Sequence, residues 1–384
     1  MSDSSDAVQA ARRRRGSGSV ATFSGARLSI ARRMARMSRA ELAALVDISP
    51  TAITQLEREQ YRPTTAVAAE LALRLGLPRE FLMRSVGDQS IPAASAHFRS
   101  LRATPAISRD QALAHAELAL EVLTAVEDFV DLPPPSLPSL KGYFGEVSQA
   151  DIERAAAEAR QMLGITEGPI PHVVRLLEAR GVLVLRYPGD QFDRRVDAFS
   201  TTATERPVVL LSSMKDDKAR SRFDCAHELG HLLLHPDAEP GSKVIENQAQ
   251  DFASAFLAPA DEVIDDLPRT LNWDMLHAAK RRWGISLRAL VYRAHSLGLF
   301  SESAYKRANV ALSSWGTPEP GPLGPPESPS LLGAAVALLA ENGTTKEDLA
   351  RHAAVSQQQL ELVVAAATDN RPSVRPDSTL AVHD

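Results

Sequence analysis

Cysteine occurs once in these 384 residues, at Cys225, so no internal disulfide framework can staple the fold. Long apolar runs are missing as well. The longest, Leu331–Ala340, falls well short of the about 20 residues that a membrane span requires, and no membrane partner is expected. Arg12–Arg15 leads into Gly16-Ser17-Gly18-Ser19 rather than an apolar stretch, so the beginning does not read as a signal peptide. These absences point to a cytoplasmic setting. Lysine is absent from residues 26–105, which carry 12 Arg against 7 Asp plus Glu, a local +5 in a chain of net charge −5. That asymmetry points the N-terminal part toward a polyanion. Hydrophobic residues make up 44% of the chain, enough to bury real cores, and the length suits two to three domains.

Composition shifts divide the chain. Residues 1–24 are rich in Ser, Gly, Asp and Arg and are expected to be a disordered basic arm. Residues 25–105 show apolar positions at helical spacing with short breaks, the pattern of a compact all-helical domain. Residues 106–138 read as a connecting helix, opened by a Ser108/Gln111 capping box, and a Pro-rich linker from Pro133 to Pro138. Residues 139–312 mix helices with three strand-like segments, Gly181–Tyr187, Val196–Thr201 and Pro207–Leu211, bounded by Gly, Pro and Asp. A second Pro/Gly-rich linker covers 313–330. A small helical module and polar tail, 331–384, follow; within it Thr344–Val364 has the capping and spacing of a second helix-turn-helix, with a small packing or dimerisation module as the alternative.

In the first domain Ser38-Arg39-Ala40-Glu41 is a capping box opening a helix with apolar Leu42, Leu45 and Val46. Asp47-Ile48 allows a tight turn. Ser49 then caps a second helix with Pro50 at its first position, where the missing N–H costs nothing. Ile53 and Leu56 face inward, leaving Thr51, Thr54 and Gln55 where a recognition helix meets the major groove of duplex DNA. Gln pairs bidentately with adenine, and Thr reaches base edges or a thymine methyl. Arg39, Arg58 and Arg62 are placed to hold phosphates, which supply affinity without reading sequence. Residues 40–57, with Arg62-Pro63 and Leu75–Phe81, resemble the phage-repressor-type, XRE-like helix-turn-helix domains over about 60 residues. Asp47 stands where that family usually has Gly, a substitution that left-handed geometry tolerates. The alternative for this unit is a protein-binding helical bundle.

In the mixed domain, Ala226-His227-Glu228-Leu229-Gly230-His231 is an H-E-x-x-H pattern. On a helix, residues four apart differ by about 40° in azimuth and about 6 Å in rise, so both imidazoles reach one metal ion. Glu228 lies beside them as a base for a water on that metal. Zn2+ is the expected ion, because it polarises a peptide carbonyl and acidifies water. A third ligand is needed. His235 lies about 12 Å along the axis from His227, too far on a straight helix. The extended H-E-x-x-H-x-x-G-x-x-H pattern fails, since its last two positions hold Leu234 and Asp237. Glu246, on the next expected helix, is the better candidate: Ala249, Phe252, Ala253 and Phe256 would pack that helix on the first. Pro207–Leu211, the strand preceding the motif helix, is read as an edge strand on which substrate adds, with an ordinary covered strand as the alternative. Cys225 points roughly 160° away from His227 and is read as a structural thiol. His172, His277 and His295 are read as ordinary histidines. No residue is singled out to stabilise an oxyanion.

Arg222-Phe223-Asp224, AHELGHLLLH (226–235) and ENQAQDFASAFLAP (246–259) together resemble the ImmA/IrrE family of metallopeptidases, over roughly residues 142–268. The resemblance implies a gluzincin-like fold, zinc, and cleavage of proteins, notably transcriptional repressors. It implies His227 and His231 as ligands, Glu228 as the base and Glu246 as the third ligand. Gln248-Ala249-Gln250 departs from the Glu-Ala-Asn of many relatives. Fusion to an XRE-like domain followed by Phe98-Arg99-Ser100-Leu101-Arg102 also recurs there. The fold class read from the sequence is multidomain. An all-α helix-turn-helix domain is followed by an α+β, gluzincin-like metallopeptidase domain with a small antiparallel or mixed sheet, then by a small helical module. The function read is a DNA-binding regulator with a zinc-dependent endopeptidase domain acting on a repressor or similar protein. Two rivals stand beside it: a non-proteolytic ligand or metal sensor, and a component of a toxin–antitoxin or phage-defence pair. A homodimer is left open.

Overall fold

The structure, a computed structural model, describes residues 22–84, 90–98, 104–140, 147–187, 196, 198–212, 217–236, 238 and 240–368. The basic arm up to residue 21, residues 99–103 of the Phe-Arg-Ser segment, Asp237 and the tail beyond 368 lie outside the described residues.

The N-terminal domain is helical: α1 (Gly25–Met34), α2 (Arg39–Leu45), α3 (Pro50–Glu57) and α4 (Thr65–Arg74), followed by a 3₁₀ turn at Arg79–Met83. Ser38 and Glu41 form the expected reciprocal capping box, and Ser49 caps α3 with Pro50 at the first position. Asp47 takes the turn with φ 53°. Leu42, Ile53 and Leu56 are fully buried, so the two helices of the motif are locked by their inward side chains.

A long helix, α5 (Ala106–Glu127), runs beneath this domain. It begins two residues before the Ser108 expected to cap it. Pro105 occupies the cap position and no side chain caps it, so the expected Ser108/Gln111 capping box is not formed. Both residues are instead buried inside the helix and turned toward Arg36. Helix α1 packs along α5. Arg27 of α1 pairs with Glu121 at 2.6 Å, and Arg33 pairs with Glu117. Burial drives the Glu121 carboxyl up to about 7 against the pull of Arg27, and it raises the Glu117 carboxyl too.

The rest is built around a mixed four-stranded sheet in the order β1 (His97–Phe98), β3 (Ala198–Thr201), β4 (Val208–Ser212), β2 (Leu183–Tyr187). β4 lies parallel to β2 and antiparallel to β3, and β1 is antiparallel to β3. Two expectations change here. The Pro207–Leu211 segment is an interior strand, because apolar side chains on both its faces bind it into two cores. His97–Phe98, grouped by sequence with the helix-turn-helix domain, joins this sheet. The period-two alternation of strands explains the layering. Leu183, Leu185, Phe199, Val208 and Leu210 face α5 and the N-terminal domain. Val184, Ala198, Val209 and Leu211 face the opposite core.

On that opposite face lie α6 (Gln149–Met162), α7 (Val173–Glu178), α8 (Lys218–Leu234), α9 (Lys243–Leu257), α10 (Ala260–Val263), α11 (Trp273–Trp283), α12 (Leu287–Ser296) and α13 (Glu302–Trp315). The Pro/Gly-rich stretch after α13 is firmly seated. Glu319 pairs with Lys280 at 2.7 Å, and Glu327 is buried against Arg222 and accepts from the Val173 and Val174 amides. The final helices, α14 (Leu331–Glu341), α15 (Lys346–Ala353) and α16 (Gln357–Ala366), pack on α5, and α16 also on β2. Thr345 and Ser356 cap α15 and α16 with the spacing of Ser38 and Ser49, and Ala354 takes the turn at φ 51° as Asp47 does at 53°. The spacing of caps and turn in this module thus repeats that of residues 38–49.

Candidate metal centre

Helix α8 starts at the Asp217 cap, which accepts from the Arg220 amide, and ends as His235 leaves helical geometry ahead of Pro236. It packs on β3 and β4 with one side and on α9 with another. The approach to α9 is close at Gly230: a Cβ there would stand 3.0 Å from Phe252 Cδ1 and 3.3 Å from Ala249 Cα. Ala249, Phe252, Ala253 and Phe256 are buried against α8 and its neighbours. This contact lays the first turn of α9, with Glu246, beside the middle of α8.

The consequence is a convergence of donors. His227 Nε2 and His231 Nε2 lie 3.2 Å apart. Glu246 places Oε2 3.4 Å from the first and Oε1 3.6 Å from the second. Among the described residues these three form the one group with metal-ligand spacing, all donor atoms within 4.8 Å of one another. Ligands of a tetrahedral zinc at about 2.0–2.2 Å sit about 3.3 Å from each other, so the donor set fits that ion. Among the described residues nothing donates a hydrogen bond to the buried Glu246 Oε1, as suits an oxygen placed for a cation.

Glu228 is fully buried one residue along, and Ser200 Oγ of β3 donates to its Oε2 at 2.6 Å. His235 is not part of the cluster. Its Nε2 is 2.8 Å from Gln248 Oε1, its Nδ1 is 3.3 Å from His231 Nδ1, and burial pushes its pKa down to about 4. Cys225 is buried, and burial raises its thiol. His172 caps α7 by accepting from the Arg175 amide, His277 lies against Gly321, and His295 sits 3.2 Å from Glu302.

Two side chains at this centre escape sequence reasoning. Ser200 belongs to a strand 28 residues before Glu228. His97 stacks on His231, ring centroids 4.7 Å apart and 10° between planes, with its Nε2 3.0 Å from the His235 carbonyl oxygen. Neither has a local spacing that links it to the H-E-x-x-H helix; only the sheet brings them there.

In the N-terminal domain, Thr51, Arg58 and Arg62 are exposed on and just after α3, while Thr54 and Gln55 are half-buried. Thr54 Oγ1 donates back to the Pro50 carbonyl at 3.1 Å. Arg39 is half-exposed and pairs with Glu57 at 2.6 Å, so its charge is partly committed within the domain.

Residues 28–82 match the helix-turn-helix family, and residues 177–295 match peptidase family M78, the IrrE N-terminal-like domain. The chain joins a helix-turn-helix domain to an IrrE N-terminal-like, metallopeptidase-like domain. His227, Glu228, His231 and Glu246 all fall within the second match, whereas His97 lies outside both. No curated protein matches the chain. No helix among the described residues is long and apolar enough to cross a membrane.

Proposed function

We propose that the chain is a DNA-binding regulator whose metallopeptidase-like domain is a zinc-dependent endopeptidase. The observation that carries this reading is the convergence of His227, His231 and Glu246 within 4.8 Å beside a buried Glu228 held by Ser200. Zinc held by these three side chains supplies Lewis acidity toward a water and a peptide carbonyl oxygen. Glu228 takes the proton of the attacking water and returns it to the departing amine. Ser200, by donating to one carboxylate oxygen, fixes the plane in which Glu228 receives that proton. In the other domain, α3 enters the major groove with Thr51, Thr54 and Gln55, and Arg39, Arg58 and Arg62 hold phosphates. The ImmA/IrrE resemblance supports a protein substrate, a transcriptional repressor or similar, and a cytoplasmic site of action.

Zinc titration of the full chain tests the centre. One zinc per chain is expected for the wild type, and His227→Ala should abolish stoichiometric binding. Equal binding by both proteins would remove the basis of the proposal.

A further inference from the structure

Ser200 contacts Glu228, so the outer edge of β3 is where an extended peptide backbone would lie beside the base. That edge is already taken by the chain itself. His97 pairs with Ser200 and Phe98 with Phe199, in antiparallel register. Strand alternation sends the two side chains to opposite faces. Phe98 joins the core on the α5 side, its ring 4.8 Å from that of Phe199. His97 turns to the metal centre and lies flat on His231. Thr201 Oγ1 adds a hydrogen bond to the Ser95 carbonyl at 3.0 Å. Ala96, His97 and Phe98 are at most 4% exposed, and His227, Glu228 and His231 at most 2%.

We propose that residues 95–98 are a built-in occupant of the peptide-docking edge, which keeps the peptidase-like domain closed until the segment is displaced. The proposal rests on the peptidase reading above. The occupant is tied to the DNA-binding domain through one carboxylate. The Ile91 amide donates to Glu117 Oε1 at 2.9 Å, and Glu117 Oε2 is ion-paired with Arg33 of α1. A movement of α1 along α5 therefore acts on the chain six residues ahead of His97.

The test uses the full chain loaded with Co2+, whose visible spectrum reports a new ligand at the metal, and a peptidyl hydroxamate as the probe. Phe98→Asp puts a carboxylate into an apolar core and expels the strand, and His97→Gly removes the ring that covers His231. If the closed form holds about nine-tenths of the wild-type population, opening it tightens hydroxamate binding about tenfold. Both variants should show that gain, together with faster hydrolysis of casein. If Phe98→Asp fails to fold, as judged by its thermal melt, His97→Gly decides alone. Cobalt bound by all three proteins with equal hydroxamate affinity overturns the occupant and leaves the peptidase reading standing. Cleavage of the chain at residues 95–98 also overturns it, because the segment is then a substrate. Failure of every protein to take up cobalt overturns the peptidase reading and the occupant with it.

Discussion

His231 is fully buried at the centre: its ring lies under His97, edge-on to His227 at 4.8 Å and 5.3 Å from His235. Three rings on its sides leave Nε2 to face His227 and Glu246. His235, although adjacent, spends its Nε2 on Gln248. Glu246→Ala should therefore weaken zinc binding by orders of magnitude, and His235→Ala only modestly; a zinc-chelator competition giving the reverse ranking would contradict the ligand assignment. The pair His227 and His231 is legible in the sequence because helical spacing alone puts both on one face. Glu246 is legible through the apolar face of its own helix. Ser200 and His97 are not, since the sheet brings them to the centre through contacts across 28 residues, for Ser200 and Glu228, and 138 residues, for His97 and His235, and no local pattern encodes such contacts.

At the scale of elements, the α8–α9 contact at Gly230 sets the position of Glu246. Gly230→Val should destabilise the fold by about 1–3 kcal/mol through overpacking against Phe252 and Ala249, and should weaken zinc binding as α9 is pushed outward. Unchanged melting temperature and zinc affinity would show that the helix pair does not need that close approach. Helix α3 makes a separate prediction. Gln55→Ala should cost about 1–3 kcal/mol on the preferred DNA sequence if Gln55 makes a bidentate base contact, while Arg62→Ala should weaken all sequences alike. Binding isotherms on specific and random duplexes measure both; a uniform loss for Gln55→Ala would move that residue to a backbone role. The elements of the helix-turn-helix are readable because each is punctuated locally by Ser38, Asp47, Ser49 and Pro50. The sheet order is less so. Val208–Ser212 is apolar on both faces, which marks it as interior rather than edge, and the two-residue β1 is too short to carry any periodic signal.

At the scale of the whole molecule, α5 and its neighbours join the DNA-binding domain to the sheet, and His115 sits on α5 against Tyr187 of β2. Burial pushes the His115 ring down to about 4, below the about 6.5 of an unfolded chain. The unfolded state therefore binds the proton first, so the stability contribution is complete above about pH 6.5 and is lost as pH falls toward 4, by up to about 3 kcal/mol. Thermal melts at pH 7.5 and pH 5 should show a larger loss for the wild type than for His115→Leu; equal losses would place the acid sensitivity elsewhere. On the proposed function this molecule is a peptidase attached to a DNA reader, rather than a metal or ligand sensor built on the same fold. Glu228→Gln separates the two, since it keeps shape and the Ser200 contact but removes the base. Half-life of the protein target and reporter output should be measured in cells with wild type, Glu228→Gln and the metal-free His227→Ala. Glu228→Gln should retain zinc and DNA binding yet leave the target intact, with regulation resembling loss of the whole catalytic domain. Normal turnover and normal regulation in Glu228→Gln would contradict the peptidase reading.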